Sequence, residues 1–566
     1  MVDLEKLGDV VSTDLLIIGG GVGGLAAALQ AKEKFPSLDV LIVEKQTSGW
    51  SGKAQKVGGG LWLLAPGDDV DKFVEYHVRN IGCYLNDQDL LYSWAQEAYG
   101  AIEQFGKWGV PVARDADGKL QTASHPLGLW SGTGGDQNIR PMWQSARKMG
   151  VKIINKTHIA DLLKQGDRVA GAVGFNLIDG RFYVFKAKAI ILANGSCNYR
   201  VRRLWSSGCG DGIAAAYRAG AEMRNAEFGS FMDVSRKDGT SFADRNYLFN
   251  TLGENMAKKY ESTPQSDISI ELIMGIEKEV MEGRGPIVFD PSLMPPRGKL
   301  ETPKQGEFMG AWPMPSQLRR WPLAMSKAVG YQKSSSQKPE AILVLNGESS
   351  PTRVDHDMKT TLRGLWAIGD VSYMGSALTG AVPAPPGRMR GSGVGNALIT
   401  ALRAGKSAAA YASETAASEI DNQEAARLKD EIFAPLHRDK GFDPAEAIIA
   451  IQDVICPVKY NLRKNKERLE EALDAIEDVK ERLGDLWAKD THYLGKCHEV
   501  RSYALSAEMT FRASLMSTEC RGWHFREDYP ERDDTNWLKW VVIKKEEEKM
   551  AVTTEAIPIG KYKYKP

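Results

Sequence analysis

Long apolar runs, paired cysteines and a surplus of either charge are all missing from this sequence. Nowhere do about eighteen consecutive apolar residues occur, the length a bilayer-spanning helix needs, so no transmembrane segment is expected. The opening Met1-Val2-Asp3-Leu4-Glu5-Lys6 lacks a basic stretch followed by an apolar run and does not read as a secretory signal. Cys83, Cys197, Cys209, Cys456, Cys497 and Cys520 are scattered, with no Cys-x-x-Cys pair. That excludes ferredoxin-type iron–sulfur spacing and the CxxC redox motif within the chain. With neither a disulfide framework nor a signal, a cytoplasmic location is expected. The 73 Lys and Arg balance 73 Asp and Glu, which argues against a nucleic-acid binder. No Ser-His-Asp order and no metal-ligand spacing stand out, so no metal site is expected.

What is present is a globular composition of 566 residues, 43% hydrophobic and 26% charged, long enough for about three or four domain-sized units. The strongest signal lies near the start. Asp14-Leu15-Leu16-Ile17-Ile18 reads as a buried parallel strand. Gly19, Gly21 and Gly24 then fit G-x-G-x-x-G, Leu25 to Glu33 reads as a helix, and Asp39 to Val43 as a second strand ending at Glu44. The acid stands about 20 residues beyond the last glycine, the spacing of a dinucleotide fingerprint. Gly19 permits the tight turn, Gly21 lets a diphosphate approach the backbone, and Gly24 lets helix and strand pack closely. The helix N-terminus offers unpaired amides to phosphate, and Glu44 can accept from ribose hydroxyls.

One fingerprint without a second and without a redox cysteine pair does not suit a disulfide reductase. Ser48-Gly49-Trp50-Ser51-Gly52-Lys53-Ala54, followed by Gly58-Gly59-Gly60, extends the glycine-rich surface. That extension suits FAD lying extended through the domain. Ala189 to Gly195 reads as a strand ending in a small-residue turn, after a hairpin signal at Asp179-Gly180. Gly364 to Asp370 is a strand closing in Gly-Asp, with Asp370 placed for a polyol hydroxyl.

These segments resemble the flavoprotein subunits of the fumarate reductase/succinate dehydrogenase superfamily. The match continues in Leu192-Ala193-Asn194-Gly195, in Gly210-Asp211-Gly212-Ile213 with Ala219-Gly220-Ala221, and in Gly395-Asn396-Ala397 with Gly405-Lys406. It ends in Arg521-Gly522-Trp523-His524-Phe525-Arg526-Glu527-Asp528-Tyr529-Pro530 with Asp533-Asp534. Within the superfamily the chain looks most like the α chain of adenylylsulfate reductase, through Ala31-Lys32-Glu33 running into Val40 to Lys45, and through Gly283-Arg284-Gly285-Pro286-Ile287. The resemblance implies an α/β architecture: a Rossmann-like FAD domain (1–230 and 340–418) interrupted by an α+β cap (231–339). A helical C-terminal domain (419–540) follows, with Lys466 to Leu483 apolar at helical spacing, then an arm (541–566), either lying on a partner or a frayed tail. The implied cofactor contacts are Gly19, Gly21, Val22, Gly23, Gly24, Glu44, Lys45, Ser51, Gly52, Gly59, Gly60, Ala193, Asn194, Gly195, Asp211, Gly369, Asp370, Gly395 and Asn396.

Departures from the family matter as much. Succinate dehydrogenases attach FAD through a histidine beside the Ser-rich segment, and Ser48 to Gly60 contains none, so FAD is expected to bind non-covalently. The family's substrate arginines fall on apolar residues of Ile270 to Ile276, near Leu272, and its histidine before the Gly364 strand is missing. His356, in Asp355-His356-Asp357, reads as a surface residue. Gly380 to Ser392, with three prolines, leads into a helix whose N-terminus the family aims at the flavin pyrimidine. Arg388 and Arg390 are the best-placed cations for an anionic substrate. Arg320 is a second candidate, and His524 is a candidate set against a clasp between domains. The expected activity is two-electron oxidoreduction between FAD and a small anionic substrate, with a ferredoxin-like iron–sulfur subunit in a hetero-oligomer. An oxidase resembling L-aspartate oxidase and an electron relay without substrate chemistry remain open.

Overall fold

The computed structural model describes residues 3–56, 59–112, 114–120, 123–125, 128–133, 135–201, 208–229, 232–237, 245–261, 270–293, 338–345, 347–375, 392–417 and 419–566. The first 18 residues show why this segment makes a strand. β1 (Asp9–Ile18) has a half-exposed first half and a buried second half. Its apolar end lies between β2 (Val40–Glu44), buried throughout, and β6 (Phe182–Leu192), both parallel to it. The strand starts five residues earlier than its apolar run, because Asp9 to Thr13 pair with Tyr183 to Ala187.

The main sheet has seven strands. Along it lie β3 (Lys152–Asn155), β2, β1, β6, β5 (Arg168–Asn176) and β4 (Thr157–Gln165), while β7 (Leu365–Ala367) pairs with β6. The first half of β6 pairs antiparallel with β5, and its second half, Ile190 to Leu192, pairs parallel with β7. The sheet is therefore parallel at its centre and closes on one side with the hairpin signalled by Asp179-Gly180.

α1 (Val22–Lys34) follows β1 and is capped by Gly21. Its Ala-rich body is buried from Leu25 to Ala31, because α4 (Ser392–Glu414) packs almost backbone to backbone against it. A Cβ on Gly405 would come 2.6 Å from the Ala27 carbonyl oxygen. Between β6 and β7 lie α2 (Asp211–Ala219) and the cap. The cap has a four-stranded sheet of Met232–Arg236, Glu340–Leu345, Ile287–Phe289 and Leu248–Phe249, with α3 (Ile270–Met281). Strand Glu340–Leu345, assigned by sequence to the second flavin segment, thus belongs to the cap sheet through its pairing with Met232–Arg236.

Helices Asn422–Phe433, Pro444–Ile455, Lys466–Glu481 and α5 (Thr491–Met516) make the helical part, which ends at Met516 rather than near 540. The chain then builds a hairpin, β8 (Lys539–Glu546) and β9 (Lys549–Ala556), with Met223–Arg224 as third strand. The expected arm is neither frayed nor free. Tyr562 and Tyr564 are buried, the Gln88 amide donates to the Tyr564 carbonyl at 2.7 Å, and the Tyr564 amide donates back to Gln88 Oε1 at 3.1 Å.

Candidate functional site

Register puts four strand ends flush. Ile18 lies beside Val43 and Leu192, and Leu192 beside Ala367. Gly19, Glu44, Ala193 and Gly369 therefore come to the same edge of the sheet. In parallel α/β sheets, ligands bind just outside the carboxyl ends of the strands. The edge is stitched by main-chain bonds: Gly19 N to Val43 O at 2.8 Å, Ala193 N to Ile18 O at 2.8 Å, and Ile368 N to Leu192 O at 3.0 Å.

Each fingerprint glycine has a distinct physical reason. Gly19 sits at φ +111°, in the left-handed region, and a Cβ there would strike Ala193 O at 2.4 Å. A Cβ on Gly24 would stand 1.9 Å from Gly19 O, so helix and turn touch through backbone. Gly21 differs, because a Cβ there meets no atom within 4 Å. The space over Gly21 is left open in front of the α1 N-terminus, whose first amides have no intrahelical partner. Gly52, at φ +95°, lies over it, its Cβ position 3.7 Å from Gly21 Cα, and Gly195 at φ +81° also faces open space. Glu44 is buried: Oε2 accepts from Gly20 N at 2.6 Å and Oε1 from Gln46 N at 2.7 Å. This fixes the carboxylate at the end of β2 beside the turn.

Several buried polar atoms around this edge have no hydrogen-bond partner among the described residues: Ser51 Oγ, Asn194 Oδ1, and both amide atoms of Asn396. Buried polar groups are nearly always hydrogen-bonded. Four such atoms at one edge, beside the unobstructed Gly21, are what an extended polar cofactor would satisfy. The residues fit FAD. Val22 to Gly24 would meet its diphosphate, Glu44 a ribose, and Ser51, Asn194 and Asn396 its remaining polar edges. Gly23 and Gly369 pack inward, with Cβ positions 3.5 Å from Ile368 Cδ1 and 3.1 Å from Ala397 Cβ. Gly395 lies against Trp94, and Gly59 and Gly60 belong to a separate strand, Gly59–Leu63.

Lys45 and Asp211, both expected as cofactor contacts, are each other's partners. Lys45 Nζ stands 2.8 Å from Asp211 and 2.7 Å from Glu499, and Arg200 reaches the other oxygen of Glu499. Burial works against the Lys45 charge, but the pull of Asp211, Cys209 and Glu499 outweighs it and holds the ammonium well above its usual pKa. Desolvation, with Lys45 nearby, pushes His158 well below its ordinary value, so it stays neutral beside this cluster. Asp370 is likewise engaged, accepting from Lys53 Nζ at 3.0 Å.

His524 is enclosed by the chain itself. It is fully buried, Nε2 stands 3.0 Å from Ser517 O, and Nδ1 lies 3.4 Å from Lys464 Nζ. Desolvation and the Lys464 charge drive its pKa far down. Around it Arg521 pairs with Glu519 and Asp534, and Arg526 with Asp528. His524 thus sits inside a buried network of ion pairs and main-chain contacts. Arg320, Arg388 and Arg390 lie outside the described residues. Leu272 is fully buried in α3, so the position near the family's arginine is cap core. His356 is exposed and bonds Asp87.

Sequence reasoning missed Lys53, Ser196 and Glu348 at the crevice and Glu499 behind it. Nothing local marks them, since they converge from segments up to about 450 residues apart. It also missed that Cys197 and Cys209 face each other across a β-bridge.

Two family patterns match the chain: an FAD binding domain over residues 14–237, and the fumarate reductase flavoprotein C-terminus over residues 457–566. One subunit of the CoM/CoB fumarate reductase of Methanothermobacter marburgensis is 25% identical over 95% of this chain and 98% of its own length. The flavoprotein subunit of 8-methylmenaquinol:fumarate reductase from Wolinella succinogenes is 26% identical, covering 94% and 89%. Among solved structures, quinol fumarate reductase of E. coli superposes with a TM-score of 0.80 at 17% identity, covering 98% of both chains. Adenylylsulfate reductase of Archaeoglobus fulgidus superposes at 0.75 with 24% identity, covering 97% and 96%. The chain is an FAD-dependent oxidoreductase that resembles the fumarate reductase flavoprotein subunits along its length, and it shares its fold with adenylylsulfate reductase.

Proposed function

We propose that this flavoprotein moves two electrons between FAD and a small anionic substrate, and that it exchanges them with a separate iron–sulfur subunit. The observation that carries the reading is the flush strand edge, where buried polar atoms of Ser51, Asn194 and Asn396 have no hydrogen-bond partner among the described residues, beside the open face of Gly21. Bound FAD supplies the two-electron chemistry. The chain's part is to hold and bias it. Amides at the start of α1 donate to the diphosphate, and the partial positive charge at that helix end favours the anion. Glu44, fixed by Gly20 and Gln46, accepts from a ribose hydroxyl. α4 begins beside Asp370, with a Cβ on Gly393 standing 3.7 Å from Asp370 Oδ1. Arg388 and Arg390 lie in the segment feeding that helix and supply the planar donors an oxyanion or carboxylate needs.

Among the described residues no group of three or more His, Cys, Asp or Glu could hold a metal. A separate electron-carrying protein is supported by the two relatives above, each named as one subunit of a fumarate reductase. Leu272, near where the resemblance expects a substrate arginine, is buried and apolar, so neither fumarate nor adenylylsulfate is taken as the substrate.

The test is anaerobic purification followed by titration with small dicarboxylates and sulfur oxyanions. A yellow protein whose flavin absorbance responds to one of these, and which co-purifies with a cysteine-rich protein, is expected. Reoxidation by oxygen without that protein would indicate an oxidase, and response to a protein partner alone would indicate a relay. A colourless chain that does not take up FAD would end the proposal.

A further inference from the structure

Lys53 follows directly on the loop that covers Gly21, and it reaches across the crevice. Its Nζ donates to Ser196 Oγ at 2.7 Å and to Asp370 Oδ2 at 3.0 Å, and stands 3.5 Å from Glu348 Oε1. These groups come from four separated stretches: the loop after the fingerprint, the turn after β6, the approach to β7, and its end. The anchoring continues inward, because Ser196 donates to Asn198 Oδ1 at 3.3 Å and Asn198 Nδ2 donates to the Gly347 carbonyl at 2.7 Å. Ser196 and Asn198 are fully buried, so the ammonium is held on a rigid base.

Asp370 and Glu348 both face this ammonium, at an edge that would also receive the diphosphate of FAD. Lys53 occupies Asp370 Oδ2, while Oδ1 faces the first turn of α4. We propose that Lys53 is a positioning residue for FAD: it fixes the rotamer of Asp370 and offsets the carboxylate pair, and so sets both the cofactor's affinity and its reduction potential. This role rests on FAD being the ligand of this edge.

The experiment uses the full chain, stripped of FAD and reloaded, as wild type, Lys53→Met, Lys53→Arg and Lys53→Met/Asp370→Asn. Two quantities are read: the FAD dissociation constant, and the two-electron midpoint potential by dye equilibration. Removing a positive charge from the edge that would hold the anionic cofactor is expected to weaken FAD binding about tenfold in Lys53→Met, or roughly 1.4 kcal/mol. Cofactor gaining negative charge on reduction should feel the loss more. A further tenfold bias against that state lowers the potential by about 30 mV. Lys53→Arg should keep both values, and the double variant should recover most of the loss because the unneutralised Asp370 charge is gone. Lys53→Met with wild-type affinity and potential overturns the role. So does a double variant as impaired as the single one. If Lys53→Met does not fold, by circular dichroism, Lys53→Gln carries the same test, since it keeps a donor to Ser196 without the charge. Wild type that takes up no FAD refutes the functional reading itself, a result separable from every variant comparison.

Discussion

Substituting Ala for Gly21 separates space kept for a ligand from space needed for packing. The new methyl meets no protein atom within 4 Å, and the backbone there, at φ −76° and ψ −168°, is open to alanine. The apoprotein should lose only what alanine costs at a helix N-cap, from a few tenths to about 1 kcal/mol. Its Tm should then move by no more than about 2–4 °C. The diphosphate would be displaced by the methyl and lose at least one amide bond from the α1 N-terminus, and bonds to charged groups are worth about 1.5–3 kcal/mol. FAD binding should therefore weaken between about ten- and a hundredfold, read by fluorescence on reconstitution. Gly24→Ala is the control of opposite kind. Its methyl would sit 1.9 Å from Gly19 O, so the apoprotein itself should lose about 1–3 kcal/mol or more. If Gly21→Ala bound FAD as tightly as wild type, the diphosphate would not run over Gly21 and the site would have to be placed elsewhere.

Ser51→Ala removes a buried hydroxyl that has no hydrogen-bond partner among the described residues. Apoprotein stability should hold or rise, while FAD affinity falls about two- to tenfold, and equal affinity would show that the hydroxyl does not meet the cofactor. Acid precipitation should release all flavin to the supernatant, because Ser48 to Gly60 holds no histidine to bond it; colour left in the pellet would contradict this. Gln88→Ala removes two hydrogen bonds to Tyr564 and should cost about 1–3 kcal/mol of thermal stability, with an unchanged Tm showing that the chain end is not anchored there. Burial raises Glu227 to about 8 and lowers Lys464 to about 7. From about pH 4.3 to 8 the folded state holds the extra proton on Glu227, so its contribution weakens as pH rises through that window. For Lys464 the unfolded chain holds more protons above about pH 7, so stability climbs there. Glu227→Gln should flatten the loss of Tm between about pH 5 and 7, and a slope equal to wild type would show that Glu227 ionises freely.

The part of this fold that sequence carries is the part built from short-range chemistry. The βαβ unit needs an apolar strand, glycines at fixed offsets and an acid at the next strand end, and all of these lie within about thirty residues. The same holds for β6 and β7, whose small-residue endings mark the sheet edge, and for the helix over Lys466–Glu481 with its apolar spacing. What escaped is set by partners far away in the chain. The extended first half of β1 exists because Tyr183 to Ala187 pair with it, and those residues have no local signature pointing to residue 9. The charged hairpin β8–β9 reads as an arm until Met223–Arg224 supplies a third strand. Lys53 sits in a stretch that looks like glycine-rich loop, and its meaning comes from Asp370 and Glu348, which only the folded sheet delivers. His524 carries a family motif, but its contacts with Ser517 and Lys464 come from the fold and not from that motif.

The two family matches, one at each end of the chain, are joined by charge as well as by packing. Lys45 and Asp211 belong to the flavin segment, and the carboxylate that completes their cluster, Glu499, comes from α5 in the C-terminal part. Arg200, also in the flavin segment, has Glu499 as its counterion. Beside His524, Lys464 donates to the Glu227 carbonyl at 3.2 Å, and the Arg521 guanidinium donates to the Cys83 carbonyl at 2.6 Å. A flavin domain cut free of residues 457–566 would leave Arg200 without Glu499 and Lys45 with Asp211 alone. The helical part is therefore a structural condition for the flavin site rather than an appendage. A redesign that aims to isolate that site must first replace Arg200, since Lys45 and Asp211 remain paired with each other.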